Sequence, residues 1–275
     1  MTASSKLLHL ILYVGLSVGE ALAQSTTADT IVVESGGLKL RALLWRPAGK
    51  GPFPAVLFNH GSGPNTGMHR PAMLGPVFAT KGYVFLCLYR RGSGLSANQG
   101  SNSFDLLNRE RETKGLEARN DLQLRLLDSE LEEVMAGLAL LRTLREVDIR
   151  RIAIAGHSFG GSLTLLAAER DSTLRAAVVF GGAARSWDGS PKLQQRLLEA
   201  VRRARPPPFF VFAANDYSVA PAKVLSAELD KLGKPHRTMI YPAVGATPAE
   251  GHAFVYSSIS TWERDVFLFL AEHMR

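Results

Sequence analysis

One short stretch of this sequence has the residue types and spacing for nucleophilic catalysis. Gly156-His157-Ser158-Phe159-Gly160 directly follows the apolar run Arg151 to Ala155 and opens a helix-like segment at Gly161. Glycines two before and two after a serine let the chain turn sharply from strand to helix, so that the hydroxyl projects above a sheet. The small residues Gly160, Gly161 and Ser162 also let that helix pack close to the strand. Serine at its ordinary pKa is a poor nucleophile, so a base must lie nearby and something must orient the base.

In a fold built around this turn, the chain order is nucleophile, acid, histidine. Of the seven histidines, His9, His60, His69 and His157 precede Ser158. His236 stands just before the last apolar run, at the wrong end of a sheet, and His273 lies at the end of the final helical segment. His252 remains, after the loop Pro242 to Gly251. For the acid, Asp216 follows the run Phe209 to Ala213; capping of the next helix is the alternative role, but Asp216 stands several residues ahead of the expected helix start. Asp188, after an earlier run, is the second choice. The chemistry of such a set is acyl transfer, with His252 taking the Ser158 proton and Asp216 holding the imidazole. An acyl transfer also needs N–H donors aimed at the developing oxyanion. Phe159 supplies one backbone N–H; the other comes from Asn59-His60-Gly61-Ser62-Gly63, with Ser62 favoured and Gly61 or Gly63 as alternatives.

These residues need a sheet to hold them. Ile31 to Val33 and Leu38 to Trp45 flank Ser35-Gly36-Gly37, a hairpin signal. Nearly continuous apolar runs then recur at Ala55 to Phe58, Tyr83 to Tyr89, Ile152 to Ala155, Ala176 to Phe180, Phe209 to Ala213 and Arg237 to Tyr241, the pattern of strands buried on both faces. Helical segments alternate with them. In the clearest, Leu127, Leu131, Val134, Leu138 and Leu141 form an apolar stripe, with Glu130, Glu132, Glu133, Arg142 and Arg145 on the other face. The pattern predicts an α/β fold with a mostly parallel sheet, helices on both faces and an antiparallel N-terminal hairpin. In such sheets the ligand sits at the carboxyl ends of the parallel strands, where Ser158, Asp216 and His252 all fall.

The chain has 275 residues, 46% apolar and 21% charged. This excludes disorder and suffices for a sizeable core without disulfides or metals. Cys87 is the only cysteine and lies in an apolar run, so no internal disulfide forms and no zinc-site spacing exists. No metal or organic cofactor is implied, and Gly92-Ser93-Gly94 lacks the lysine and spacing of a phosphate-binding loop. Lys6, the apolar stretch Leu7 to Val18 and Ala21-Leu22-Ala23 read as a secretion signal over residues 1–23. The expectation is an exported protein, periplasmic or secreted, with residues 24–275 as one catalytic domain. The apolar stretch is too short for a bilayer span, and no membrane anchor is expected after cleavage. The net charge is +7. Its densest group, Arg196, Arg202, Arg203 and Arg205, has no nucleic-acid motif beside it, so the charge reads as a surface property and nucleic acid is not an expected partner.

Taken together, these residues resemble the α/β-hydrolase superfamily, and within it the dienelactone-hydrolase-like and prolyl-oligopeptidase-like serine hydrolases. The resemblance runs from about Ile31 to His273. It rests on Gly51-Pro52-Phe53-Pro54, His60-Gly61, Arg91-Gly92-Ser93-Gly94-Leu95-Ser96, the turn at Ser158, Asn215-Asp216 and Gly251-His252. Dienelactone hydrolase proper carries cysteine where this chain has Ser158, and the oligopeptidases carry an N-terminal propeller for which this chain has no room. The resemblance implies an α/β-hydrolase fold; its motifs are specific for the superfamily and not for the substrate, for which a small-molecule ester is the leading expectation. Between Phe180 and Pro206, where many α/β-hydrolases insert a helical cap, only a loop and one helix are expected, so no large cap is expected. Amide cleavage is the alternative within enzymes, and a non-catalytic binding protein the alternative outside them. Trp187, Tyr217 and Phe254 are candidate apolar walls of the pocket, each with a core position as its alternative. The polar stretch Ala97 to Asp121 is either a rim loop beside the serine or a solvated helix extension.

Overall fold

The computed structural model describes residues 27–275. The secretion-signal reading of residues 1–23 lies outside the described residues. Eight strands form one sheet in the order β1-β2-β4-β3-β5-β6-β7-β8. The hairpin β1 (Asp29–Ser35) and β2 (Leu38–Trp45) turns at Gly36-Gly37, and β2 runs antiparallel to β4. From β3 (Phe53–Asn59) and β4 (Val84–Tyr89) onward the pairing is parallel, through β5 (Val147–His157), β6 (Ala177–Phe180), β7 (Pro208–Ala213) and β8 (Arg237–Tyr241).

Helices cover both faces. On one side lie α2 (Ser103–Thr143), α3 (Phe159–Arg170), α4 (Pro191–Arg203) and α5 (Ala220–Lys231). There the expected stripe of α2, Leu127, Val134, Leu138 and Leu141, is buried with Leu57, Leu86 and Ile154 of the sheet. On the other side α1 (Leu74–Thr80) and α8 (Ile259–His273) bring Phe78 and Trp262 against Phe58, Phe85 and Phe180. Two short helices, α6 (Pro248–His252) and α7 (Phe254–Ser257), follow β8. No helix among the described residues is long and apolar enough to cross a membrane.

Two details sharpen the sequence reading; the first decides between a rim loop and a helix extension. The stretch 97–121 is helical over most of its length: α2 starts at Ser103, capped by the Asn102 side chain, which accepts from the Phe104 and Asp105 N–H groups. It breaks at Gly115, whose φ of 87° and ψ of −175° are closed to residues with a side chain, and continues to Thr143. The second concerns Glu130 and Glu133, placed by the sequence on the face opposite the apolar stripe. Both are buried, because the end of β4 sends two arginines toward them: Arg90 Nε donates to Glu130 at 2.7 Å, and Arg91 Nε pairs with Glu133. Glu132 alone of the three faces solvent, where it pairs with Arg170.

Candidate active site

The turn from β5 into α3 holds Ser158 at φ 56° and ψ −118°. A serine with positive φ is held there at a cost that only surrounding structure can maintain. Here the Ser158 N–H donates to the Phe180 carbonyl at 2.9 Å, which ties the turn to β6, and the Ser158 carbonyl accepts from Gly161 and Ser162. The two motif glycines are required by space: a Cβ at Gly160 would stand 2.1 Å from the Asn59 carbonyl oxygen, and one at Gly156 2.3 Å from the Gly160 oxygen. The strand, helix and β3 loop therefore pack closer than any side chain permits.

His252 ends α6, and its Nδ1–H donates to Asp216 Oδ1 at 2.7 Å. The Asp216 side chain is fully buried and also accepts the Tyr217 N–H at 2.7 Å, so the carboxylate is fixed in direction and holds one imidazole tautomer. Asn215 secures the loop that returns His252: its Nδ2 donates to the Val244 and Thr247 carbonyls, and its Oδ1 accepts the Val244 N–H. The sequence reading expects a loop over 242–251, yet Thr247-Pro248-Ala249-Glu250 is a capping box with proline in the first turn. That pattern is the available signal for α6, the element that aims His252. Asp188, the second choice for the acid, is exposed and accepts the Ser218 hydroxyl at 3.3 Å. His236 lies before β8 and bonds the Lys234 carbonyl.

Ser158 and His252 share the lining of two adjoining cavities, one of about 110 Å³ and one of about 310 Å³, and Ser62 lines both. Phe159 is the first residue of α3, so its N–H has no partner within the helix. The loop after β3 closes on the serine, since a Cβ at Gly61 would stand 3.1 Å from Ser158 Cβ. That loop is held from behind by residues whose supporting role no sequence spacing reveals. His60 Nδ1 bonds the Gly61 carbonyl at 2.7 Å, and its Nε2 accepts the Arg90 N–H at 3.2 Å. Arg90 Nη2 donates to the His60 carbonyl at 2.9 Å, and its guanidinium lies 5.6 Å from the centre of the Phe159 ring. Burial first, then the Arg90 charge, holds His60 well below the usual histidine range, so it stays neutral.

His157 is a second support. Its Nε2–H donates to the His252 carbonyl at 2.8 Å, and its Nδ1 faces the Tyr256 hydroxyl at 3.4 Å. Burial, followed by the nearby His252, pushes its pKa well below the ordinary value, which keeps the ring neutral and this donor-acceptor pattern fixed. A residue at position 157 that cannot donate strands a carbonyl in the segment carrying His252. His157→Phe is therefore expected to lower kcat/KM roughly tenfold to a hundredfold, the loss of a buried hydrogen bond, with the circular dichroism spectrum unchanged. His157→Gln, which can still donate, is expected to retain more of the activity.

Of the three candidate pocket walls, only Tyr217 is at the site. It is 41% exposed, lines the smaller cavity, and its ring meets His252 edge-on at 5.3 Å. Trp187 and Phe254 are corrected to core positions. Trp187 packs with α4 residues such as Leu193 and Leu197 on one face of the sheet, and Phe254 packs against Tyr241 on the other. Both are almost fully buried, because each lies on the inward side of a short segment whose next apolar neighbour is the sheet.

Comparison with known proteins agrees with this architecture. A dienelactone hydrolase from Anabaena variabilis superposes with a TM-score of 0.64 at 18% identity, covering 90% of this chain and 99% of that one. The Pyrococcus horikoshii acylaminoacyl peptidase gives 0.63 at 18%, covering 90% of this chain but 42% of the peptidase. At these identities the likeness concerns the fold. Quorum-quenching protein AidA of Acinetobacter baumannii is 28% identical over 145 residues, 53% of this chain, and the match spans only 40% of AidA. Residues 40–264, which run from within β2 into the first turns of α8, match the model of the dienelactone hydrolase family, and the chain belongs to that family.

Proposed function

We propose that this family member is an exported serine hydrolase that cleaves carboxylic esters through an acyl-enzyme. Ser158 attacks the carbonyl carbon while His252 takes its proton. The N–H groups of Phe159 and Ser62 receive the oxyanion, and His252 then protonates the departing alcohol. Water, activated by the same imidazole, releases the acid in the second half. The observation that carries this reading is a serine held at φ 56° between two cavities, both shared with an imidazole whose Nδ1 is bonded to a buried carboxylate. Neither cavity is lined by Asp or Glu, so no carboxylate waits for a substrate amine, and this favours esters over peptides with a free amino end.

The test is to treat the purified protein with a fluorophosphonate and locate the adduct. Labelling is expected at Ser158, and Ser158→Ala is expected to lower kcat for 4-nitrophenyl acetate by about 10⁶-fold, as loss of a serine nucleophile does elsewhere. Hydrolysis that survives the substitution overturns the proposal.

A further inference from the structure

The cavity of about 310 Å³ beside Ser158 does not end at the catalytic residues. His69, Arg70 and Tyr256 line both it and a further open cavity of about 700 Å³, so the two are continuous. The further one is a groove between the short turn of helix Arg70–Met73 and the segment that runs from the loop after β8 through α6 and α7. Met73, Val244, Ala249 and Ala253 give it apolar surface. Met73 is 50% exposed, although Pro71 and Leu74 close by are buried. An exposed methionine is ordinary alone; joined to three other apolar residues in a groove that opens from a nucleophile, it makes an adaptable wall for an apolar ligand.

The charged residues of the groove do not compete for that ligand. Glu250 is engaged in the capping box, where its carboxylate accepts the Ala246 and Thr247 N–H groups at 2.9 Å each. Arg70 stands at the junction of the two cavities. The other side of the junction is rigid: Tyr256 is buried, and its ring meets Phe58 edge-on at 6.5 Å and His157 at 5.2 Å. A passage already in place costs a ligand little ordering of the protein.

Which half of an ester enters the groove follows from the chemistry at His252. The imidazole hands its proton to the leaving oxygen, so the alcohol lies against His252. His252 ends α6; Ala249, one turn earlier, and Ala253, next in the chain, both line the groove. An alcohol that follows this segment away from the scissile bond enters the groove, while the cavity of about 110 Å³ leaves room for a short acyl group.

We infer that the ester cleaved at Ser158 joins a short acyl group to an extended apolar alcohol, whose chain lies in the groove between Arg70–Met73 and α6–α7. The inference rests on the reading of Ser158 as the nucleophile.

Three esters test this, followed by pH-stat below their solubility limits: ethyl acetate, hexyl acetate and ethyl hexanoate, the last two being isomers. Burying one methylene is worth roughly fourfold. Hexyl acetate is therefore expected to show kcat/KM roughly tenfold or more above ethyl acetate, and to exceed ethyl hexanoate. The preference is expected to fall toward one in Met73→Glu, which puts a charge in the groove, and in Ala249→Trp, which fills it. Met73→Leu is expected to keep it, as is Leu268→Glu at an exposed position of α8 outside the groove. Calorimetry of 1-octanol with the Ser158→Ala protein reads the groove without turnover; binding is expected, and is expected to be lost when Met73→Glu and Ala249→Trp are added. Equal kcat/KM for hexyl and ethyl acetate, or a preference that survives both groove substitutions, overturns the inference while Ser158-dependent hydrolysis of 4-nitrophenyl acetate stands. A preference for ethyl hexanoate that the same substitutions abolish puts the acyl chain in the groove and overturns the assignment of the alcohol. Octanol binding by a protein that neither labels at Ser158 nor turns over any ester supports the apolar groove and overturns the hydrolase reading instead.

Discussion

Replacing Asp216 with alanine is expected to lower kcat by about 10⁴-fold with little change in KM, the loss seen when the acid of such a triad is removed. The reason lies in one oxygen. Oδ1 receives both His252 Nδ1–H and the Tyr217 N–H, while Oδ2 is buried without a hydrogen-bond partner among the described residues. Alanine removes the group that fixes the tautomer and the charge that stabilises the imidazolium. Asp216→Asn tests the charge: with its amide oxygen in the place of Oδ1 both donors are kept and the charge is lost, while its NH2 group takes the buried place of Oδ2. Its kcat is expected to fall between those of wild type and Asp216→Ala. Steady-state assays of 4-nitrophenyl acetate across both variants check the order. An asparagine variant as slow as the alanine one removes this explanation.

The second large effect is on stability. Arg90 and Glu130 are each about 1% exposed and meet at 2.7 Å. Removing one partner leaves the other charge buried and alone, which typically costs about 3–5 kcal/mol. Arg90→Met is therefore expected to lower the unfolding free energy by about that amount, read from the urea midpoint. Arg90→Met/Glu130→Leu is expected to recover most of the loss, because an apolar pair needs no compensation. Activity should not recover with it. Arg90 also donates to the His60 carbonyl and backs the loop bearing Ser62, and the double variant lacks that donor. Recovery of kcat together with stability would show that the loop needs no support from Arg90.

What can be read from the sequence is whatever is local or set by strand order. The pentapeptide around Ser158 encodes its own turn, and the apolar runs that precede Ser158, Asp216 and His252 place all three at one edge of the sheet. What cannot be read depends on pairing across the chain. Glu130 and Glu133 read only as the face opposite the apolar stripe until Arg90 and Arg91, 40 and 42 residues earlier, are brought beneath them. Trp187, Tyr217 and Phe254 are alike in sequence as aromatic residues near strand ends. Which of them meets the cavity depends on the path of a few loop residues, and no periodicity reports that. His60 and His157 are excluded as bases by their position in the chain; that same position, beside the loop and the turn, makes them supports.

The break at Gly115 divides α2 into lengths with different duties. Beyond it, Arg119 and Gln123 still line the cavity, and from Leu127 onward residues such as Val134 and Leu141 belong to the core. Before it, Ser103 and Leu107 are the buried positions, and Asn108 and Arg111 face the cavity. A glycine joint between the two means that the first length can be exchanged as a cassette without re-registering the second. The cavity wall formed by Asn108 and Arg111 can thus vary, in evolution or by grafting, while the framework that carries Ser158 and His252 is inherited unchanged.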